Sequence, residues 1–353
     1  MSRPRGLGFG AFLVGVGGGW LVFSNVQVSR NLFAWILITV GCTVVASSLF
    51  SRWRETKYLG SIVRGLAPGL ILALLMTTGM GFTGEFSGLG DYRASTTRTL
   101  DGPLTEDRVL LDVQIFNGPI EVSTWDRNEY QFNALIRAKG ITDAEAEENL
   151  DDFEFDLDET LVLGRRKLVL RHNVVQTRTS LYSVSLEVKL PADTVIDLDL
   201  RASNGGISLA EIEGGVFDLG TSNGRMTFDD VTASRIDAGT SNGGIYGILE
   251  APDTSISTSN GKIELRLPCT ASGRYVLRTS NAAVDLRVSS QLDVGYDLDM
   301  STSNGAIDFD MPGLVYSVNQ RTIKRARTEG FTGKSVQIII EASTSNAGMD
   351  VDA

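Results

Sequence analysis

The sequence predicts a membrane-anchored all-β protein: three N-terminal transmembrane helices, then a β-solenoid (β-helix-like) of about eight rungs, each about 18–23 residues long. Three observations carry this expectation. Three long apolar stretches before Glu85 hold no charge; a Ser-Asn turn recurs seven times downstream; and apolar residues alternate on both sides of that turn.

The charge-free stretches are 6–29, 31–51 and 65–84, with apolar cores at 7–23, 32–50 and 66–82. Each core approaches the ~20 apolar residues that span a hydrocarbon layer. The glycines of the first and Pro68 in the third are tolerated in membrane helices, and Trp20, Trp35 and Trp53 lie near helix ends, where aromatic belts form. No small-x-small cleavage site follows Phe23 and two more spans follow directly, so the first stretch reads as an uncleaved anchor. Arg3 and Arg5 precede span one, and Arg52, Arg54, Lys57 and Arg64 separate spans two and three, against Arg30 alone in the first loop. The excess of basic residues on cytoplasmic loops then places the N-terminus inside and everything after residue 84 outside the cell membrane.

The repeat is clearest with each asparagine set to position zero. The copies centre on Asn204, Asn223, Asn242, Asn260, Asn281, Asn304 and Asn346, and a degenerate eighth on Asn117. Positions −6, −4 and −2 read Phe217, Leu219, Thr221 in one copy and Ile236, Ala238, Thr240 in the next; +3 and +5 read Met226 and Phe228, or Ile263 and Leu265. This is two half-buried strands per copy. From Asn204 onward, successive asparagine numbers differ by 19, 19, 18, 21 and 23, then by 42, close to two periods. Such regularity indicates a stack in which each copy buries the apolar face of its neighbour.

Two geometries fit: a hairpin with Asn-Gly as a type I′ turn, or a solenoid with Asn at the corner of a coil. Ala282 and Ala347 replace the glycine in two copies, and a left-handed backbone there costs alanine about 1 kcal/mol. Asn also shares parity with the inward positions −2, −4 and −6. Both points favour a solenoid in which the amides point into the corner and form a ladder, with Asn242 buried between Asn223 and Asn260 and Asn346 at the end with one neighbour. These asparagines are structural turn residues.

Residues 84–107 read as a linker, 108–200 as an irregular β segment that caps the stack, and 201–353 as the regular repeats. Within the cap, 143–150 predicts a short helix with Asp143 as N-cap, and 167–171 and 183–190 predict strands. Residues 143–159 hold ten acids but no D-x-D-x-D-G loop, so they read as a solvated face and no metal site is assigned. The basic stretch 321–327 reads as a loop or rung insertion.

The segment 1–83 carries seven Lys/Arg and one acid, leaving 25 basic and 42 acidic side chains for 84–353, a net charge of −17. Such a surface excludes nucleic acid as a partner. His172 is the only histidine, which excludes a hydrolase triad or a histidine-based metal site, and Cys42, in a predicted span, cannot pair with Cys269. The outward positions Arg225, Lys262, Glu264, Asp285 and Asp308 show no consistent acid cluster for glycoside chemistry.

The run of "TSNGxIxL" units, preceded by "VQIFNGPIEV" and "VKLPADTVIDLDL", resembles the β-strand-repeat family of adhesins, also called toastrack domains, over residues 108–353. Here that domain is joined to a multi-pass membrane region. The resemblance implies a β-helix-like fold outside the membrane, sometimes in envelope stress responses, and supplies no catalytic motif. The expectation is therefore a non-enzymatic, cofactor-free envelope protein for binding or adhesion, or a sensing scaffold, with a protein or glycan partner. The alternatives are a self-assembling scaffold and a polysaccharide-active enzyme.

Overall fold

A computed structural model describes residues 92–353. The predicted spans, their orientation and Cys42 lie outside the described residues, among which no helix is long and apolar enough to cross a membrane.

The described chain is all-β, with 21 strands in one hydrogen-bonded network. The first part holds β1 (Tyr92–Pro103), β2 (Arg108–Gln114), β3 (Ile120–Trp125), β4 (Glu129–Lys139), helix α1 (Asp143–Asp151), β5 (Phe155–Val162), β6 (Arg165–His172), β7 (Tyr182–Pro191) and β8 (Val195–Ala202). The repeats supply β9 (Ile207–Thr221), β10 (Met226–Thr240), β11 (Ile245–Glu250), β12 (Asp253–Thr258), β13 (Ile263–Arg266), β14 (Gly273–Arg278) and β15 (Val284–Arg287). The last part holds β16 (Val294–Thr302), β17 (Ile307–Asp310), β18 (Leu314–Asn319), β19 (Ile323–Thr328), β20 (Val336–Thr344) and β21 (Met349–Asp352).

Strands that precede an asparagine stack in parallel on one face, and strands that follow it stack on a second. β9 and β10 are long enough to belong to both, bending at Glu211 and Asp230, whose backbones are left-handed at φ 54 and 53. The two faces enclose the core. On the second face the +3 residues Ile120, Ile207, Met226, Ile245, Ile263, Val284, Met349 and Ile307 are in register on successive strands. All eight are at most 1% exposed, and burying such a side chain stabilises the fold by roughly 1.5–3 kcal/mol.

The stacking order differs from the chain order. β20 lies between β14 and β16, parallel to both, and β21 lies between β15 and β17. The last copy is therefore inserted between the two before it, and Asn346 is interior. The interval between Asn304 and Asn346, expected to hold two periods, instead holds the antiparallel hairpin β18–β19, laid on β16, and a return into the stack.

Two further expectations are corrected at the other end. Residues 92–103, inside the expected linker, form β1, antiparallel to β4. The strand is rich in β-branched threonine but has one large apolar residue, Leu100, so it shows no apolar alternation. The predicted helix forms, but its N-cap is Thr142 rather than Asp143: the Thr142 hydroxyl accepts from Glu145 N at 3.2 Å, while the Glu145 carboxylate accepts from Ile141 N at 2.8 Å. This is close to a capping box, and it places Asp143 in the first turn, where the helix dipole favours an acid. α1 packs on β1 and β4 through Ala146 and Asn149.

Candidate functional site

The asparagine side chains form one ladder with a single direction. Each amide nitrogen donates to the carbonyl of the neighbouring corner: Asn204 to Asn117 at 2.6 Å, and Asn223 to Asn204, Asn242 to Asn223, Asn260 to Asn242 and Asn281 to Asn260 at 2.7 Å. Asn346 then donates to Asn281 at 2.6 Å and Asn304 to Asn346 at 2.8 Å. Asn117 ends the ladder by donating to the carbonyls of Thr179 and Tyr182 at 2.8 and 3.2 Å.

The amides do not point into the corner. Seven of the eight asparagines are exposed and Asn117 is half-buried. The strand pleat stops at the corner, so parity with −2 does not carry the side chain inward. The buried polar group is the threonine at −2, whose role the sequence reading missed. Thr240 is 8% exposed; its hydroxyl donates to Gly224 O at 3.1 Å and accepts from Gly243 N at 3.2 Å. Thr221, Thr258 and Thr302 make the same pair of bonds, and Thr279 and Thr344 make the donated one. The serine carbonyl between them accepts twice, as Ser222 O does from Ser241 N and Asn242 N at 3.2 and 2.9 Å. Each letter of Thr-Ser-Asn thus satisfies a different corner group.

The following glycine is required by close approach. A Cβ on Gly243 would sit 1.7 Å from Gly224 O, whereas no left-handed φ is adopted there. The two alanine corners, Ala282 and Ala347, follow Asn281 and Asn346, which are hydrogen-bonded neighbours in the stack.

A groove of about 430 Å³ opens on the outward side of the second face, lined by Tyr246, Glu264, Arg266, Asp285, Arg287, Asp350 and Asp352 among others. Tyr246 forms one end. Its ring carries the Arg225 guanidinium at 4.8 Å, and Gly244 leaves it room, since a Cβ there would lie 2.5 Å from the ring. Register then places Glu264, Asp285, Asp350 and Asp308 in one row on β13, β15, β21 and β17. This corrects the expected absence of an acid cluster: Asp350 enters the row only through the out-of-order rung.

The electrostatics of the row are uneven. Lys262 bonds Glu264 at 2.8 Å and also Asp285, and its hydrogen bond holds the Glu264 carboxyl below its ordinary range. Asp350 is pushed up, first by partial burial and then by repulsion from Asp285, Asp308 and Asp352. Beside the row, Arg266 and Arg287 lie in register on adjacent strands and form no ion pair among the described residues, nor do Asp350 and Asp352.

The remaining sequence candidates are used within the fold. His172 lies edge-on to Phe116 at 4.7 Å, half-buried, and desolvation lowers its pKa, so it is a neutral packing residue far in sequence and face from the groove. The acids of 143–159 disperse: Glu145 caps α1, Asp152 pairs with Arg178 at 3.4 Å, and Glu159 accepts from the Tyr130 hydroxyl. Among the described residues no group of three or more His, Cys, Asp or Glu is placed to hold a metal ion. The basic stretch is neutralised by its own stack: Lys324 pairs with Asp308 at 3.3 Å, Arg325 with Asp299 at 3.0 Å, and Arg327 with Asp297. Arg321 closes the final corner, donating to Gly305 O at 2.7 Å. Cys269 is a buried free thiol.

No family profile and no curated protein matches the chain. Among solved structures it is similar to a "putative cell adhesion protein" from Clostridium sporogenes ATCC 15579, with 8% identity over 73% of this chain and 99% of that one, and a TM-score of 0.34. It is also similar to a "putative adhesin" from Bacteroides fragilis NCTC 9343, with 9% identity, 72% and 97% coverage and a TM-score of 0.33. A third is a "putative lipid binding protein" from Parabacteroides distasonis ATCC 8503, at 9% identity, 73% and 97% coverage and a TM-score of 0.36. Identities and TM-scores this low bear on neither family nor activity.

Proposed function

We propose that this chain is a membrane-anchored, extracytoplasmic binding protein whose β-solenoid presents its grooved second face to a protein or glycan of the envelope. The observation that carries this reading is the groove itself: Tyr246, Arg266, Arg287, Asp350 and Asp352 are held in register on parallel strands. Parallel strands lie about 4.8 Å apart, so the side chains offer an evenly spaced, rigid set of aromatic, cationic and anionic contacts. Such pre-ordered contacts lower the entropic cost of binding. Glycoside hydrolysis needs two carboxyl groups on opposite sides of a sugar, whereas these four acids lie in one row on one sheet face. That arrangement supports binding over hydrolysis.

The test is capture of partners from native membranes with the tagged chain, beside a triple variant Tyr246→Ala, Arg266→Ala, Arg287→Ala. A partner held by the native chain and lost from the folded variant supports the reading. Saturable hydrolysis of a glycan or peptide, abolished by one carboxylate substitution in the row, would refute it.

A further inference from the structure

The position of the last rung has a consequence independent of the groove. Rungs that are consecutive in the chain pair directly from Asn204 to Asn281, and those contacts are local in sequence. The next copy breaks this pattern. β16 and β17 do not pair with β14 and β15; they stand one rung further out, and β18–β19 closes against β16 as an antiparallel hairpin. Between these two blocks is a slot one rung wide, so its walls stand two strand spacings, about 9.5 Å, apart.

The final residues fill that slot. β20 pairs with β14 from Gly273↔Ile338 to Arg278↔Ser343 and with β16 from Val294↔Val336 to Thr302↔Thr344. β21 pairs with β15 and β17 along its whole length. Ile338, Ile340, Met349 and Val351 are all 0% exposed. Without this rung, four strand edges and a strip of core would face solvent, and open edges template pairing with any matching strand.

We infer that the slot is a strand-exchange site, and that its second occupant is residues 336–352 of another copy of this chain. Every contact of the rung with the slot would be the same in the exchanged form, because donor and resident have one sequence; exchange of this kind is a low-cost route to a dimer. Within each chain the conformational change falls on the loop 329–335, and the rest of the cost is that of bringing two chains together. That loop is tied to its own block by a few polar contacts, Lys334 Nζ to Leu292 O at 2.5 Å and Ser335 Oγ to Asp293 O at 3.2 Å, and by Phe331. Gly330 and Gly333 within it have open space around them. The rung's partners on β14 lie far earlier in sequence, as Val276 does from Glu341, so making that contact within one chain carries the loop-closure cost of a long separation.

Cross-strand disulfides test this in the full-length chain, with Cys42 replaced by Ser. Val276 and Glu341 are direct partners on β14 and β20, both on the outward side, at a separation suited to a disulfide. Two differently tagged chains, one with Val276→Cys and the other with Glu341→Cys, are co-expressed and mildly oxidised. The expected result is a covalent dimer carrying both tags, absent when Glu341→Cys is replaced by the out-of-register Gln337→Cys. A chain with both Val276→Cys and Glu341→Cys checks the geometry of the pair: it closes within itself where the rung is resident and links two chains where the rung is exchanged. No mixed dimer, while the double variant closes internally, would overturn the proposal, as would equal dimer with Gln337→Cys. The same comparison with Asp299→Cys in place of Val276→Cys reads the β16 wall, so a folding defect at Val276 does not decide the outcome.

Discussion

Thr240→Val separates the two hydrogen-bonding devices of the corner. The substitution keeps the side-chain shape and removes only the hydroxyl, which donates to Gly224 O and accepts from Gly243 N. Thr240 and Gly243 are buried, so both backbone groups lose a partner where water does not replace it. A buried unsatisfied group costs roughly 1–3 kcal/mol, which gives about 2–6 kcal/mol for the pair. Asn242→Ala removes two ladder bonds, to Asn223 and from Asn260, each with a net value of about 0.5–1.5 kcal/mol. The freed amides are exposed and rehydrate, so this loss stays near about 1–2 kcal/mol. Urea unfolding of the unit Leu89–Ala353, followed by Trp125 fluorescence and circular dichroism, measures both. Asn346→Ala should resemble Asn242→Ala, because Asn346 has Asn281 and Asn304 on either side. A loss for Asn242→Ala equal to or above that for Thr240→Val would refute the assignment of the threonine as the buried device.

Three other outcomes are expected. Six Asn-Gly pairs, a sequence prone to deamidation by attack of the glycine nitrogen on the amide, should remain intact in the folded protein. Thr240→Val frees Gly243 N from its hydroxyl acceptor, so isoaspartate measured by mass spectrometry should rise at Asn242 ahead of Asn223 and Asn260, and an unchanged pattern would count against the idea. Asp350→Asn should raise the melting temperature at neutral pH: its folded pKa is raised, so the native carboxyl contributes its stability below the unfolded pKa and loses it as pH rises through the folded one. The advantage of the variant should vanish in acid below the ordinary aspartate range, and a constant advantage at every pH would point to packing instead. Protease added to intact spheroplasts should digest the repeats if residues 84–353 face outward, and complete protection would reverse the topology.

What was legible in the sequence was periodicity. Alternation at −6, −4, +3 and +5 located the inward residues because a pleated strand has a strict period of two, and those positions became the core columns. The pattern stopped being reliable where the pleat stops. Asparagine parity was carried across a corner that is not a strand, so exposed amides were read as buried and the buried threonine was read only as one more inward position. β1 escaped because threonines with a single leucine show no binary contrast. The order of the stack was not legible for a physical reason: near-identical corners satisfy one another equally well, so the repeat specifies that corners stack but not which one is adjacent. The one available signal was spacing. The step from Asn281 to Asn304, 23 residues, is longer than the four before it, and residues 288–293 cross over the rung that fills the gap. The acid row follows from the same fact, since Asp350 stands between Asp285 and Asp308 only because the last rung is inserted there. Both the charge pattern of the groove and the exchange slot therefore depend on residues 336–352, and a chain that lacks them loses the row and exposes the slot in a single step.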